Sequence, residues 1–183
     1  MARPHESKRV CEHAEVGEAR LTEGDGGTVP EGDGWFVLNG RDAPWLEREG
    51  MRRSCVFEGE TRFPELGVNV NVLEPGRPSG LYHAEASQED FLVLSGECDA
   101  VIEGEERRLR AWDFVHCPPG TLHSFVGAGD APSVLLAVGA RFAERGIRYE
   151  PTSLAPSVEE ATSSARDAYA PYGHWQNDGS SPL

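Results

Sequence analysis

Between Gly80 and Gly96 the chain reads GLYHAEASQEDFLVLSG, with His83, Glu85 and Glu89 close together, and downstream PPGTLH brings His123 in behind a proline–glycine turn. Side chains of a strand alternate faces with a period of two. His83 and Glu85 therefore share one face, and after a break at Ala86-Ser87 the residues Glu89, Phe91 and Val93 share a face of a second strand. On a third strand, Thr121, His123 and Phe125 do the same. A chain that brings these faces together needs neighbouring strands around a common interior. Two imidazoles and one or two carboxylates there, with positions left for water or substrate, suit a divalent transition metal.

Elsewhere the chain is also built for strands. Gly67 to Leu73 sets Val68, Val70 and Val72 against Asn69 and Asn71, so the asparagines either line a polar cavity or face solvent. Strands are also expected at Trp35–Leu38, Ser54–Phe57, Asp99–Glu103, Arg107–Arg110, Phe114–Cys117, Thr121–Val126 and Ser133–Val138. Gly104-Glu105 can close a hairpin with glycine at the first central position of a type II′ turn. The chain has 21 Gly and 13 Pro in 183 residues, which favours short elements joined by turns. These signals give an all-β domain, a closed or sandwiched antiparallel barrel. Ser157-Val-Glu-Glu160 is a capping-box pattern with Pro171 beyond it, and it predicts one short C-terminal helix over Val158–Ala170. The expected organisation is a polar, mobile N-terminal segment over 1–33, a barrel over 34–140, and an extension with the helix and a loose tail over 141–183.

The two clusters resemble the paired motifs of the cupin superfamily. His83, Glu89 and Gly96 match the first motif with family spacing, and Pro118, Gly120 and His123 match the second. Gly76 has six residues between it and His83, where the family has five. Glu85 stands where a second histidine is usual, Trp112 precedes Asp113 where Gly-Asp is usual, and Gly127 replaces a common terminal Asn. The resemblance implies a cupin-type double-stranded β-helix, or jelly-roll barrel. It also implies a homodimer formed through an N-terminal strand.

Charge and composition narrow the partners. A net charge of −14 disfavours nucleic acid and anionic membranes. No apolar run approaches the roughly 18 residues of a membrane span, and no apolar region follows the basic N-terminus, so a cytoplasmic protein is expected. Cys11, Cys55, Cys98 and Cys117 form no Cys-x-x-Cys pair, which fits reduced thiols. His116 and Cys117 are adjacent and so point to opposite faces, a poor arrangement for a thiol nucleophile. Lys8 is the sole lysine, which disfavours Schiff-base chemistry, and no nucleotide-binding fingerprint appears.

The expected metal ligands are therefore His83, Glu85, Glu89 and His123, with Glu85 alternatively a catalytic acid/base beside the ion. The expected ion is one Zn, Fe or Mn. Phe91, Val93, Thr121, Phe125, Asn69 and Asn71 are expected to line a pocket for a small-molecule ligand or substrate. Two imidazoles with one carboxylate suit an Fe(II) oxygenase, whereas a second carboxylate favours Lewis-acid isomerisation, decarboxylation or hydrolysis. The alternative is a cupin that binds or senses a small ligand and catalyses nothing.

Overall fold

A computed structural model describes residues 15–47, 50–141, 146–157, 161–164, 176–177 and 181–182. Its strands are β1 (Arg20–Gly24), β2 (Gly27–Glu31), β3 (Trp45–Glu47), β4 (Arg53–Val56), β5 (Leu66–Leu73), β6 (His83–Glu85), β7 (Glu89–Ser95), β8 (Glu97–Ile102), β9 (Glu105–Arg110), β10 (Phe114–Cys117), β11 (His123–Ala128), β12 (Ser133–Ala140), β13 (Gly146–Tyr149), β14 (Ala161–Ser164) and β15 (Gln176–Asn177). Two antiparallel sheets result: a seven-stranded one in the order β10-β7-β12-β5-β4-β3-β15, and a six-stranded one in the order β14-β13-β6-β11-β8-β9. β1 and β2 form a separate hairpin. Among the described residues no helix is long and apolar enough to cross a membrane.

The alternation in β5 is resolved in an instructive way. Asn69 and Asn71 line an interior cavity. Val70 and Val72 face the other way and pack with Leu38, Ala43, Trp45, Cys55, Phe57 and Val134. The segment before β4 covers this outer face, and the Trp45 indole N–H donates to the Gly40 carbonyl at 2.8 Å.

Between the sheets, Leu73, Phe91, Val93, Cys98, Ala100, Cys117, Phe125 and Leu135 form the main core. This apolar plug fills one end of the interior and leaves the other end for the polar residues. Gly96 joins β7 to β8 in the left-handed region at φ 72°, and a Cβ there would lie 2.7 Å from the Pro132 carbonyl oxygen. Only glycine fits that turn without displacing backbone.

Three local expectations are corrected. Ala161–Ser164, inside the expected helix, form β14 and pair with β13 over Gly146–Tyr149. The helix pattern there had a thin, mostly alanine apolar face, and the edge of β13 offers backbone partners that such a helix would not use. The rest of that span, 158–160 and 165–170, lies outside the described residues. Trp35 makes an isolated parallel bridge to Glu18, and no strand runs over Trp35–Leu38. In the β8–β9 hairpin the two central residues are Glu103 and Gly104, with φ of 51° and 79°. Both are left-handed, as in a type I′ turn, one residue earlier than the expected type II′. In addition, β13 joins the sheet from beyond residue 140, so the barrel draws on the C-terminal extension.

Candidate metal centre

Strand β6 carries His83 and lies beside β11, with His83 directly opposite His123. Both histidines thus come from the six-stranded sheet. Glu89 opens β7 in the opposite sheet, so the set bridges the two sheets at the polar end of the interior. The turn before His123 is fastened to β6 by the Gly120 amide, which donates to the Glu85 carbonyl at 2.8 Å. Gly120 has φ 86°, a backbone state suited to glycine. The Pro-x-Gly-x-x-His spacing therefore sets the height of His123 against His83.

The imidazoles are oriented alike. His83 Nδ1 donates to the Leu81 carbonyl at 2.6 Å, and His123 Nδ1 donates to the Thr121 carbonyl at 3.0 Å. Fixing the proton on Nδ1 leaves each Nε2 as a lone-pair donor, the arrangement found for metal-bound histidine. The rings of His83 and His123 lie with centroids 4.9 Å apart, and Phe91 sits 5.1 Å from His123. His123 Nε2 is 3.3 Å from Glu89 Oε2. Ligand atoms of His83, Glu89 and His123 all lie within 4.8 Å of one another.

The electrostatics suit a cation. Burial, with help from the neighbouring His123 and Arg52, pushes His83 down to about 3, and burial also lowers His123. Burial, reinforced by the charge of Glu85, raises Glu89 to about 8, while Arg52 opposes that rise. Burial thus disfavours charge on both partners of the His123–Glu89 contact. The three candidate ligand residues thus bring no positive charge of their own that would repel a cation. The donor set fits a divalent transition ion, which would replace the Glu89 proton.

Glu85 does not belong to the convergent set of ligand atoms. It lines two adjoining cavities, of about 380 and about 440 Å³, that share Glu85, Glu89, Asn69, Arg62 and Ala137. The inner one also contains His83, His123, Phe91, Phe125, Asn69 and Asn71. Two expected pocket residues lie elsewhere. Val93 is packed in the core below the cavity, two residues deeper along β7 than Phe91. Thr121 precedes β11 in the turn, where its hydroxyl donates to the Pro118 carbonyl at 2.8 Å. Gln88 and Asp90 are outside the site, as alternation expects. Asp90 accepts from Gln88 Nε2 at 2.6 Å and lies 2.6 Å from His116 Nδ1. Cys117 is buried in the core and its thiol is pushed up to about 12 by burial, which makes it a packing residue.

Sequence reasoning missed Arg52, Ser54 and Arg62, all of which line the inner cavity. Arg52, Ser54 and Val56 share a face by alternation, so that face was readable. No motif marked it, however, because nothing in the sequence says which face of β4 looks inward.

A pattern described as the cupin domain matches residues 69–139. No curated protein matches the chain. Among solved structures, the chain is similar to a sugar phosphate isomerase of the cupin superfamily from Silicibacter pomeroyi. That similarity is 27% identity over 81% of this chain and 88% of that one, with a TM-score of 0.53. The fold is also shared with the polyketide cyclase RemF from Streptomyces resistomycificus, at 16% identity, 67% and 89% coverage and a TM-score of 0.55. A predicted oxalate decarboxylase from Thermotoga maritima shares it at 20% identity, 58% and 100% coverage and a TM-score of 0.52. With the two motifs in place on adjoining strands and two antiparallel sheets around them, the chain belongs to the cupin superfamily.

Proposed function

We propose that this cupin is a metal-dependent enzyme that isomerises a small hydroxy-carbonyl compound by moving a proton between adjacent carbons. The observation that carries this reading is Glu85: a carboxylate facing the same cavity as the ligand set without belonging to it. His83, Glu89 and His123 would hold the ion, which polarises a substrate carbonyl when bound. Glu85 then removes the proton from the hydroxyl-bearing carbon next to that carbonyl and delivers it to the former carbonyl carbon, while the hydroxyl proton passes to the former carbonyl oxygen. Phe91, Phe125 and Leu135 give the inner cavity an apolar wall that limits water beside the transferred proton. The similar protein from Silicibacter pomeroyi, described as a sugar phosphate isomerase, supports the reaction class. Trp35 and Val37 are exposed apolar residues of the N-terminal region, which supports a homodimer formed through that segment.

The test is solvent exchange. Zinc- or manganese-loaded protein in deuterated water should label hydroxyacetone at the carbon beside its carbonyl. Glu85→Gln should slow labelling by about 10²-fold or more while metal content stays unchanged. Metal-loaded wild type that binds hydroxyacetone without labelling it would leave a binding protein, and dioxygen consumption by the iron form would redirect the reading to an oxygenase.

A further inference from the structure

The turn between β8 and β9 carries an unexpected residue. Its central positions, Glu103 and Gly104, both have left-handed backbones, at φ 51° and 79°. A type I′ turn takes Asn-Gly or Asp-Gly by preference, and a longer side chain at the first position gains nothing from the backbone it must adopt. A residue held in a disfavoured conformation directs attention to what its side chain does. The Glu103 carboxylate accepts from the Leu122 amide at 2.7 Å, and the Glu103 amide donates to the Leu122 carbonyl at 2.9 Å. Beside it, the Gly104 amide donates to the Tyr82 hydroxyl at 2.9 Å.

Leu122 and Tyr82 hold equivalent places in the site. Leu122 lies between His123 and Thr121, whose carbonyl accepts from His123 Nδ1. Tyr82 lies between His83 and Leu81, whose carbonyl accepts from His83 Nδ1. Holding the middle residue of each triplet therefore fixes the imidazole and its anchoring carbonyl together. Both middle residues are buried in one cluster with Ala84 and Val101. The ladder between β6 and β11 has a single register pair, His83 opposite His123, so strand pairing alone sets their relative position weakly. The bond from Gly120 to Glu85 is one further tie, and the Glu103–Gly104 turn adds another from outside both strands.

We propose that Glu103 is a positioning residue of the metal centre. Acting through Leu122, and with Gly104 acting through Tyr82, the turn holds His83 and His123 at the spacing that a shared ion requires. Glu103 lines neither cavity, so its effect is exerted wholly through the residues it holds. This deepens the proposed function by adding a residue to the same site, and it rests on that reading for the ion.

Two substitutions separate positioning from folding. Glu103→Asn gives the turn its preferred residue but shortens the side chain by one methylene, out of reach of Leu122. Glu103→Gln keeps an oxygen acceptor at the original reach. Competition with a chromophoric chelator should show about a tenfold or greater loss of zinc affinity in Glu103→Asn, and Glu103→Gln should recover most of it. Metal-free Glu103→Asn should melt at or above the wild-type temperature, a split that loss of a merely structural contact would not give. Proton–nitrogen correlation NMR of the metal-free wild type should show His123 as a single Nδ1–H tautomer, and Glu103→Asn should show a mixture. The tautomer readout decides the matter even for a protein that takes up no zinc, an outcome in which only the metal reading fails. Wild-type zinc affinity or an unchanged single tautomer in Glu103→Asn overturns the positioning role. So does a Glu103→Gln variant as impaired as Glu103→Asn, or a Glu103→Asn variant that melts below wild type.

Discussion

Each ligand histidine commits its Nδ1 to a carbonyl two residues earlier in the chain, so the sequence around it chooses the tautomer as well as the position. In the candidate metal site, Glu89 is the carboxyl whose proton an ion would have to displace, because burial and the charge of Glu85 raise it to about 8. Its folded value lies above its ordinary one. The metal-free fold therefore loses stability as pH rises from about 4.5 through 8, where the buried carboxyl must ionise. A divalent ion reverses that loss by displacing the proton. The increase in melting temperature on adding zinc should grow between pH 5 and 8 and level off above, a trend that scanning calorimetry at several pH values would detect. A zinc-induced shift that shrinks over this range would contradict the assignment. The convergence of His83, Glu89 and His123 into one candidate site was legible because motif spacing and strand alternation both point to it. Arg52 was not, since its place in the cavity depends on which face of β4 looks inward.

At the scale of elements, alternation and turn chemistry located most strands, and the misses have physical causes. β14 arises from a free strand edge, a tertiary opportunity that a capping box cannot report. The Trp35–Leu38 run is apolar enough for a strand, but its last residue Leu38, with Ala43 beyond it, packs over the outer face of β5 as irregular chain. Trp112, between β9 and β10, shows what one substitution does inside a known motif. It sits at φ 74° where the resemblance expects glycine, and it is 76% exposed. A left-handed non-glycine residue costs about 1–2 kcal/mol, and glycine's extra unfolded-state freedom offsets about 0.5–1 kcal/mol of the relief. Trp112→Gly should thus raise stability by about 0.5–1 kcal/mol, seen as a higher urea midpoint at unchanged slope.

Across the whole molecule, the outer cavity is bordered by Arg62 and Arg141, which meet at Glu58 from places far apart in sequence. Glu58 is buried and accepts from Arg141 Nη1 at 2.5 Å and Nη2 at 2.8 Å, from the Phe63 amide at 2.6 Å and from Arg62 at 3.1 Å. Burial alone would push its carboxyl up. The donors, Arg141 foremost, outweigh burial and hold it below the usual carboxylate range. Arg141 also donates to the Phe63 carbonyl at 2.8 Å, tying the loop after β4 to the end of β12. Glu58→Ala removes the charge that compensates Arg141 and should destabilise the protein by about 3 kcal/mol, read from denaturant unfolding. Its stabilising effect should fade as pH falls below about 4.5 towards the lowered value. No sequence pattern announced this pairing, because its partners lie on segments that meet only in the folded chain. The account as a whole turns on His83, Glu89 and His123 acting as one ligand set across two sheets. Elemental analysis of protein purified without chelator and reconstituted with iron, manganese or zinc tests this most directly. The account predicts close to one divalent ion per chain for the wild type and near none for His123→Ala, and wild-type protein that stays metal-free with all three ions would contradict it.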